Sequence, residues 1–293
     1  MSVANTENSS EKSAPDVFVI GAMRVGTTLF YNLMRTQDGI SVARMKETDA
    51  YLNDKRAAEA DSLNKKQYAD PQSIWIDISP NYTKRHAFPG VAKRIHAANP
   101  DARFIYLVRD PIKRAESHFQ HITLESTKPD DQSLGEEALD DVVNTSRYHW
   151  QMKPYLDLFP IDRFLFIDFE DFVKEPTAYT DIIGTHIEAP ETFSLPETLD
   201  KPSNTIDQIG RLPSWWAPLR RSSLGTKIRQ RLPRNAMNII KKVVKSKTDI
   251  ETLPTLSQDI KDRLVEEGRK EIPKFQKLTG LDLSNWHIHS VST

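Results

Sequence analysis

The chain has 293 residues, 38% of them hydrophobic, and Lys+Arg 40 against Asp+Glu 41 leave a net charge of -1. That length fits two domains or one α/β domain with additions, and the even charge gives no global pull towards nucleic acid. There is no cysteine, which excludes disulfide staples, zinc–thiolate sites and cysteine nucleophiles and fits a reducing cytoplasm.

The opening residues, MSVANTENSSEKSAPD, are polar, with neither a basic nor an apolar stretch. A disordered tail over 1–15 is expected there, not a leader peptide. No apolar run approaches the ~20 residues of a membrane helix. Val17–Ile20 is a continuous apolar run, as in a strand covered on both faces. A helix over Thr27–Thr36 follows, with Leu29, Phe30, Leu33 and Met34 on one side. Ser73–Ser79 reads as a strand, FPGVAKRIHAANP as a helix and Arg103–Val108 as a second strong strand. Asp110-Pro111 supplies a favoured N-cap and first helical residue. A helix over SRYHWQMKPYLDLF and a strand over Arg163–Phe169 continue the alternation. Strands alternating with helices predict a parallel sheet flanked by helices. Ser257–Leu278 returns to a helical pattern and stops at Gly280.

Between the first strand and helix, Gly21-Ala22-Met23-Arg24-Val25-Gly26-Thr27-Thr28 sets two glycines around four residues. Backbone N–H groups there converge on an anion, and the helix N-terminus adds partial positive charge. The triphosphate loop G-x-x-x-x-G-K-[ST] has this glycine spacing. Here Thr27 replaces its lysine, and the cation moves into the loop as Arg24. Taken alone, the glycine pair is equally a tight turn without a ligand. A second basic site follows Arg103–Val108. Arg109 lies at the strand tip, where open parallel sheets bind ligands, and Arg114, Ser117, His118 and His121 share a helix face. Alone, Arg109 reads as the partner of a surface carboxylate and Ser117 as an ordinary helix residue.

Together the two sites resemble the sulfotransferase family, whose donor is 3′-phosphoadenosine 5′-phosphosulfate (PAPS). Gly21–Thr28 looks like its 5′-phosphosulfate loop, and Arg109 with Ser117 like its 3′-phosphate motif. Lys46-Glu47, DISPNY (Asp77–Tyr82), RAESHFQH, RFLFIDFEDF and LTGLDLSNW are similar to features of the branch containing the heparan sulfate enzymes. The resemblance covers 17–190 well, the C-terminal stretch loosely and 195–250 weakly. Two positions depart from it. The loop cation is Arg24 where lysine is usual, and Ile78 stands where some polysaccharide enzymes carry lysine, which argues against a heparan-like acceptor.

The resemblance implies a P-loop NTPase-like α/β sheet flanked by helices, with a C-terminal helical extension. It implies one domain over 16–293, made of a core (16–190), a basic variable segment (191–250) and a C-terminal helix (251–293). It implies PAPS as co-substrate, PAP as product and no metal. Arg24, Val25, Gly26, Thr27 and Thr28 would hold the 5′-phosphosulfate, with Arg24 also at the breaking bond. Arg109 and Ser117 would hold the 3′-phosphate. Glu47 would be the general base, with His118 and His121 as its rivals. The two histidines of His287-Ile288-His289 would point to opposite faces of a strand and share no metal. The expected acceptor is a glycan, glycolipid or small molecule bearing a hydroxyl or amine, and nucleic acid is not expected as a partner. A P-loop kinase or nucleotide hydrolase, and a non-catalytic PAP-binding module, are the competing classes.

Residues 208–248 carry eleven Lys/Arg and no Asp/Glu. This is a solvated positive face, a flap over an anionic glycan, or a peripheral membrane element. Ala236, Ile240, Val243 and Val244 would form an apolar face among lysines, and Trp215-Trp216 would stack on sugars or pin the segment to the core.

Overall fold

The structure, a computed structural model, describes residues 12–125, 135–199 and 255–289. The basic stretch 208–248, with Trp215, Trp216 and the proposed membrane face, lies outside the described residues. The expected tail is described only from Lys12. Lys12 Nζ donates to the Ser73 carbonyl at 2.9 Å, and the Ser13 and Pro15 carbonyls accept from Asn64 and Asn99, so these bonds tie 12–15 to the folded chain.

In chain order the first elements are β1 (Val17–Gly21), α1 (Thr27–Met34), β2 (Ile40–Val42), α2 (Asp54–Ala58), α3 (Ala60–Gln67), β3 (Ile74–Ile78) and α4 (Val91–Ala98). Then come β4 (Arg103–Val108), α5 (Pro111–Glu125), α6 (Glu136–Asn144), α7 (Tyr148–Leu156) and β5 (Phe164–Asp168). The described chain ends with α8 (Phe169–Lys174), α9 (Thr180–Ile187) and α10 (Gln258–Thr279). The strands form one parallel sheet in the order β2-β3-β1-β4-β5. All five β1 residues are buried, which is why its sequence is continuous apolar and does not alternate. From β1 the chain runs outward to β2, and from β4 it runs the other way to β5. The topological switch therefore lies between β1 and β4, and its crevice opens at their C-terminal ends.

Phe18 and Phe104 stack at 6.0 Å on one face of this centre, joined by Tyr51, Tyr82, Tyr155, Phe159 and Phe164. Burying each such ring contributes roughly 1.5–3 kcal/mol. The C-terminal helix is capped by Ser257 and stopped by Gly280 in the left-handed conformation (φ 72). Glu271 of α10 accepts the Trp150 N–H at 2.6 Å in the first turn of α7. Beyond α10, the Trp286 indole donates to Asp168 Oδ2 at 2.7 Å. Asp168 Oδ1 meanwhile caps α8 through the Glu170 and Asp171 N–H groups. The C-terminal stretch is thus fastened to the tip of β5.

His287–His289 is a 3-10 turn and not the strand supposed in sequence, so the opposite-face argument about those histidines does not apply. Among the described residues, no group of three or more His, Cys, Asp or Glu is placed to hold a metal ion. Among those residues, no helix is long and apolar enough to cross a membrane.

Candidate active site

The loop after β1 has the geometry its glycines demand. Arg24 (φ 70) and Gly26 (φ 81) both lie in the left-handed region. A Cβ on Gly26 would also sit 2.0 Å from Phe169 Cε2, so only glycine fits there. The Ala22 N–H donates to the Leu107 carbonyl at 2.6 Å, tying the loop to β4. Gly26 forms the N-cap of α1, and no side chain caps that helix. Its first-turn N–H groups, beside Thr27 and Thr28, form a positive helix end.

The two sites expected from sequence meet here. Arg24 Nε donates to Ser117 Oγ of α5 at 3.2 Å. Lys46 Nζ reaches Thr27 Oγ1 at 3.4 Å and Glu47 Oε1 at 2.5 Å, so the Lys46-Glu47 pair sits at the mouth of α1. Val25 is buried beneath the loop. Arg109 lies at the tip of β4, its carbonyl accepting from the Tyr148 hydroxyl at 2.6 Å. Its guanidinium is turned to a carboxylate, with Nε donating to Glu170 at 3.2 Å. Lys113 donates to the same Glu170 at 2.8 Å. Burial works to raise the Glu170 carboxyl, but Lys113 and Arg109 outweigh it and hold it below the usual range. Arg109 therefore has the carboxylate partner that its sequence context suggested.

His118 is held inside a network of the protein's own side chains. It is buried, with Nδ1 beside Arg114 Nη1 at 3.3 Å and Nε2 3.6 Å from Asp141. Burial first, then Arg114 and Lys84, hold its pKa well below the ordinary histidine value. His121 is half-buried one turn further along α5.

Sequence reasoning missed the network around His118. Arg114 is fully buried and donates to Ser146 Oγ at 2.8 Å and to the Val142 carbonyl. Asp141 accepts from Lys84 at 2.8 Å and pairs with His86 at 2.6 Å. Burial alone would raise the Asp141 carboxyl, yet His86 and Lys84 hold it below its ordinary value. Burial lowers Lys84 despite the opposing pull of Asp141. These residues come from α5, α6, the turn between α6 and α7, and the turn after β3. Only their tertiary meeting makes them a group, so no local pattern announces them.

Asp77, at the end of β3, is completely buried. It accepts from Thr48 Oγ1 at 2.6 Å, Ser79 Oγ at 2.7 Å and the Tyr82 hydroxyl at 2.8 Å. Burial pushes its carboxyl up to about 6 against the lowering effect of these three bonds.

Residues 66–192 match the sulfotransferase family model. Over 194 residues the chain is 23% identical to heparan sulfate glucosamine 3-O-sulfotransferase 5 of Mus musculus, covering 61% of this chain and 55% of that protein. It is 20% identical over 207 residues to the bifunctional heparan sulfate N-deacetylase/N-sulfotransferase 1 of Caenorhabditis briggsae, covering 62% of this chain and 23% of that protein. The chain thus spans 55% and 23% of the lengths of these two relatives. The crystal structure of a sulfotransferase from Alicyclobacillus acidocaldarius superposes with a TM-score of 0.61 at 15% identity, over 94% of this chain and 99% of that one. The fold is therefore that of a sulfotransferase. Sequence and fold together liken the chain to sulfotransferases, and its curated relatives lie in the heparan sulfate branch.

Proposed function

We propose that the protein transfers a sulfuryl group from PAPS to a hydroxyl or amine of an acceptor, with a carbohydrate or glycolipid the favoured class. The observation that carries this reading is the 3.2 Å contact between Arg24 and Ser117. It brings the 5′-side loop and the 3′-side helix within reach of one doubly phosphorylated nucleotide. The relatives named for heparan sulfate transfer favour a carbohydrate acceptor, whereas Ile78 argues against a heparan-like one.

In this reading Val25, Gly26, Thr27 and Thr28 present N–H groups and hydroxyls to the 5′-phosphosulfate. Ser117 and Arg109 hold the 3′-phosphate, and Arg109 exchanges Glu170 for it. Glu47 removes the acceptor proton as the acceptor's oxygen or nitrogen bonds to sulfur. The bond from sulfur to the bridging oxygen breaks. Arg24 meets the charge that develops on that oxygen as PAP leaves. Positioned side-chain cations suffice for this charge without a metal. A cytoplasmic setting belongs to the same proposal.

Thermal unfolding with nucleotide tests the donor site. PAP should raise the midpoint well above what AMP gives at equal concentration, because AMP lacks the 3′-phosphate. Equal shifts would count against the assignment. Labelled PAPS offered with chitin oligosaccharides, galactosylceramide, 4-nitrophenol and tyrosine peptides then identifies the acceptor class. A chain that binds PAP and labels none of them would be a binding module, not an enzyme.

A further inference from the structure

A fully buried carboxylate is expensive unless paired. Among the described residues Asp77 forms no salt bridge, and its three hydrogen-bonding partners are neutral hydroxyls. Two of those hydroxyls reach back to the segment carrying Glu47. Ser79 Oγ, which donates to Asp77, accepts the Asp49 N–H at 3.1 Å. Thr48 Oγ1, which also donates to Asp77, accepts the Ala50 N–H at 3.2 Å. The bonds therefore run in one direction, from two backbone N–H groups through two hydroxyls into the two carboxylate oxygens. From the other side Arg56 donates to the Thr48 and Asp49 carbonyls, each at 2.5 Å. The clamped segment includes Asp49 in the left-handed region (φ 50), a conformation a non-glycine residue holds only when its surroundings impose it.

We propose that Asp77 is a positioning residue for the transfer step, holding the Glu47–Ala50 segment, and with it the Glu47 carboxylate, at the donor loop. The proposal rests on Glu47 as the base. Asp77 touches no reacting atom. It acts through Thr48 and Ser79, fixing the backbone from which Glu47 reaches the mouth of α1.

The bond directions require Asp77 to accept on both oxygens, so its ionised form does this work. The titratable groups around it are Asp49, Tyr51, Tyr68, Tyr82 and, on α7, Tyr155. Burial first raises all four tyrosines, so they stay neutral, and Asp49 is the charged neighbour. Protonation of Asp77 puts a donor where a hydroxyl proton already points, and the Thr48 or Ser79 link breaks.

The test compares Thr48→Val, which keeps shape and removes the hydroxyl, with Thr48→Ser, which keeps the hydroxyl. Thr48→Val should lower kcat roughly tenfold or more, as expected for a misplaced base, with PAP affinity unchanged within about twofold. Thr48→Ser should recover most of that loss. Protection of the Asp49 and Ala50 amides against hydrogen exchange, relative to their intrinsic rates, should fall in Thr48→Val, and in the unmodified protein as pH falls below about 6. Equal losses in both variants would reveal a packing role and overturn the proposal. Unchanged protection at those amides in Thr48→Val would also overturn it. A wild-type rate in Thr48→Val beside an inactive Glu47→Gln overturns this proposal alone. A wild-type rate in Glu47→Gln removes the base assignment and this proposal with it.

Discussion

Arg24 Nε lies 3.2 Å from Ser117 Oγ, although 93 residues separate them in sequence. One belongs to the glycine loop after β1 and the other to the second turn of α5, so their contact spans the switch point between β1 and β4. Arg24→Ala should lower kcat by about 10²–10³, the usual effect of removing one preorganised charge-stabilising group. PAP affinity should change far less, because the loop N–H groups and Arg109 remain. Single-turnover rates with labelled PAPS, beside PAP titrations, separate the two effects, and an unchanged rate removes Arg24 from the breaking bond.

Ser117→Ala probes the opposite arm of that contact. Losing one hydrogen bond to a charged phosphate should weaken PAP binding by about 1.5–3 kcal/mol. AMP binding should barely change. Calorimetric titration of both nucleotides checks this, and equal weakening of the two would mean that Ser117 does not read the 3′-phosphate.

Glu47→Gln keeps the shape of the side chain and removes its basicity. Transfer should fall by about 10²–10⁴ while PAP still binds. Lys46 bonds both Glu47 and Thr27, so part of any change in PAP affinity would travel through that lysine. Nucleotide titration of the variant measures that part.

The central strands were legible because their burial is two-sided. VFVIG and RFIYLV carry no polar alternation to confuse them with surface strands, and both became neighbours in the sheet. The cap at Asp110 was equally legible, and its Oδ1 accepts the Ile112 and Lys113 N–H groups at 2.9 Å. β2 was missed because three residues carry no period, and α6, α8 and α9 because short helices depend on packing more than on pattern. For the site, glycine spacing and Lys46-Glu47 pointed to residues that do meet. The Asp77 and Asp141 networks stayed hidden because Thr48 and Asp77 lie 29 residues apart and Lys84 and Asp141 lie 57 apart. Only the folded sheet joins them.

Asp77 also leaves a mark on stability. Its folded pKa of about 6 lies above the ordinary aspartate value of 3.8. Between those values the folded state binds more protons than the unfolded one, so this group's contribution falls as pH rises from about 4 to about 6. The full effect is on the order of 3 kcal/mol by linkage. Asp77→Asn cannot titrate. Unfolding free energies of the two proteins at pH 4.5 and pH 7 should therefore differ in slope, with the unmodified protein gaining relative stability at the lower pH. Parallel pH profiles would mean that Asp77 titrates normally.

Glu271 offers a test of how the C-terminal helix is held. It is buried on α10 and accepts the Trp150 N–H at 2.6 Å, so it works as a helix cap supplied by another helix. Glu271→Ala leaves that N–H without its acceptor and opens a small void. Loss of such a cap costs about 1–2 kcal/mol. Glu271→Gln keeps an acceptor oxygen at the same reach and should retain most of the stability. Urea denaturation of the two variants gives the comparison. A loss in Glu271→Gln as large as in Glu271→Ala would assign the stabilisation to the Glu271 charge and its neighbour His149, 3.9 Å away, and not to the cap.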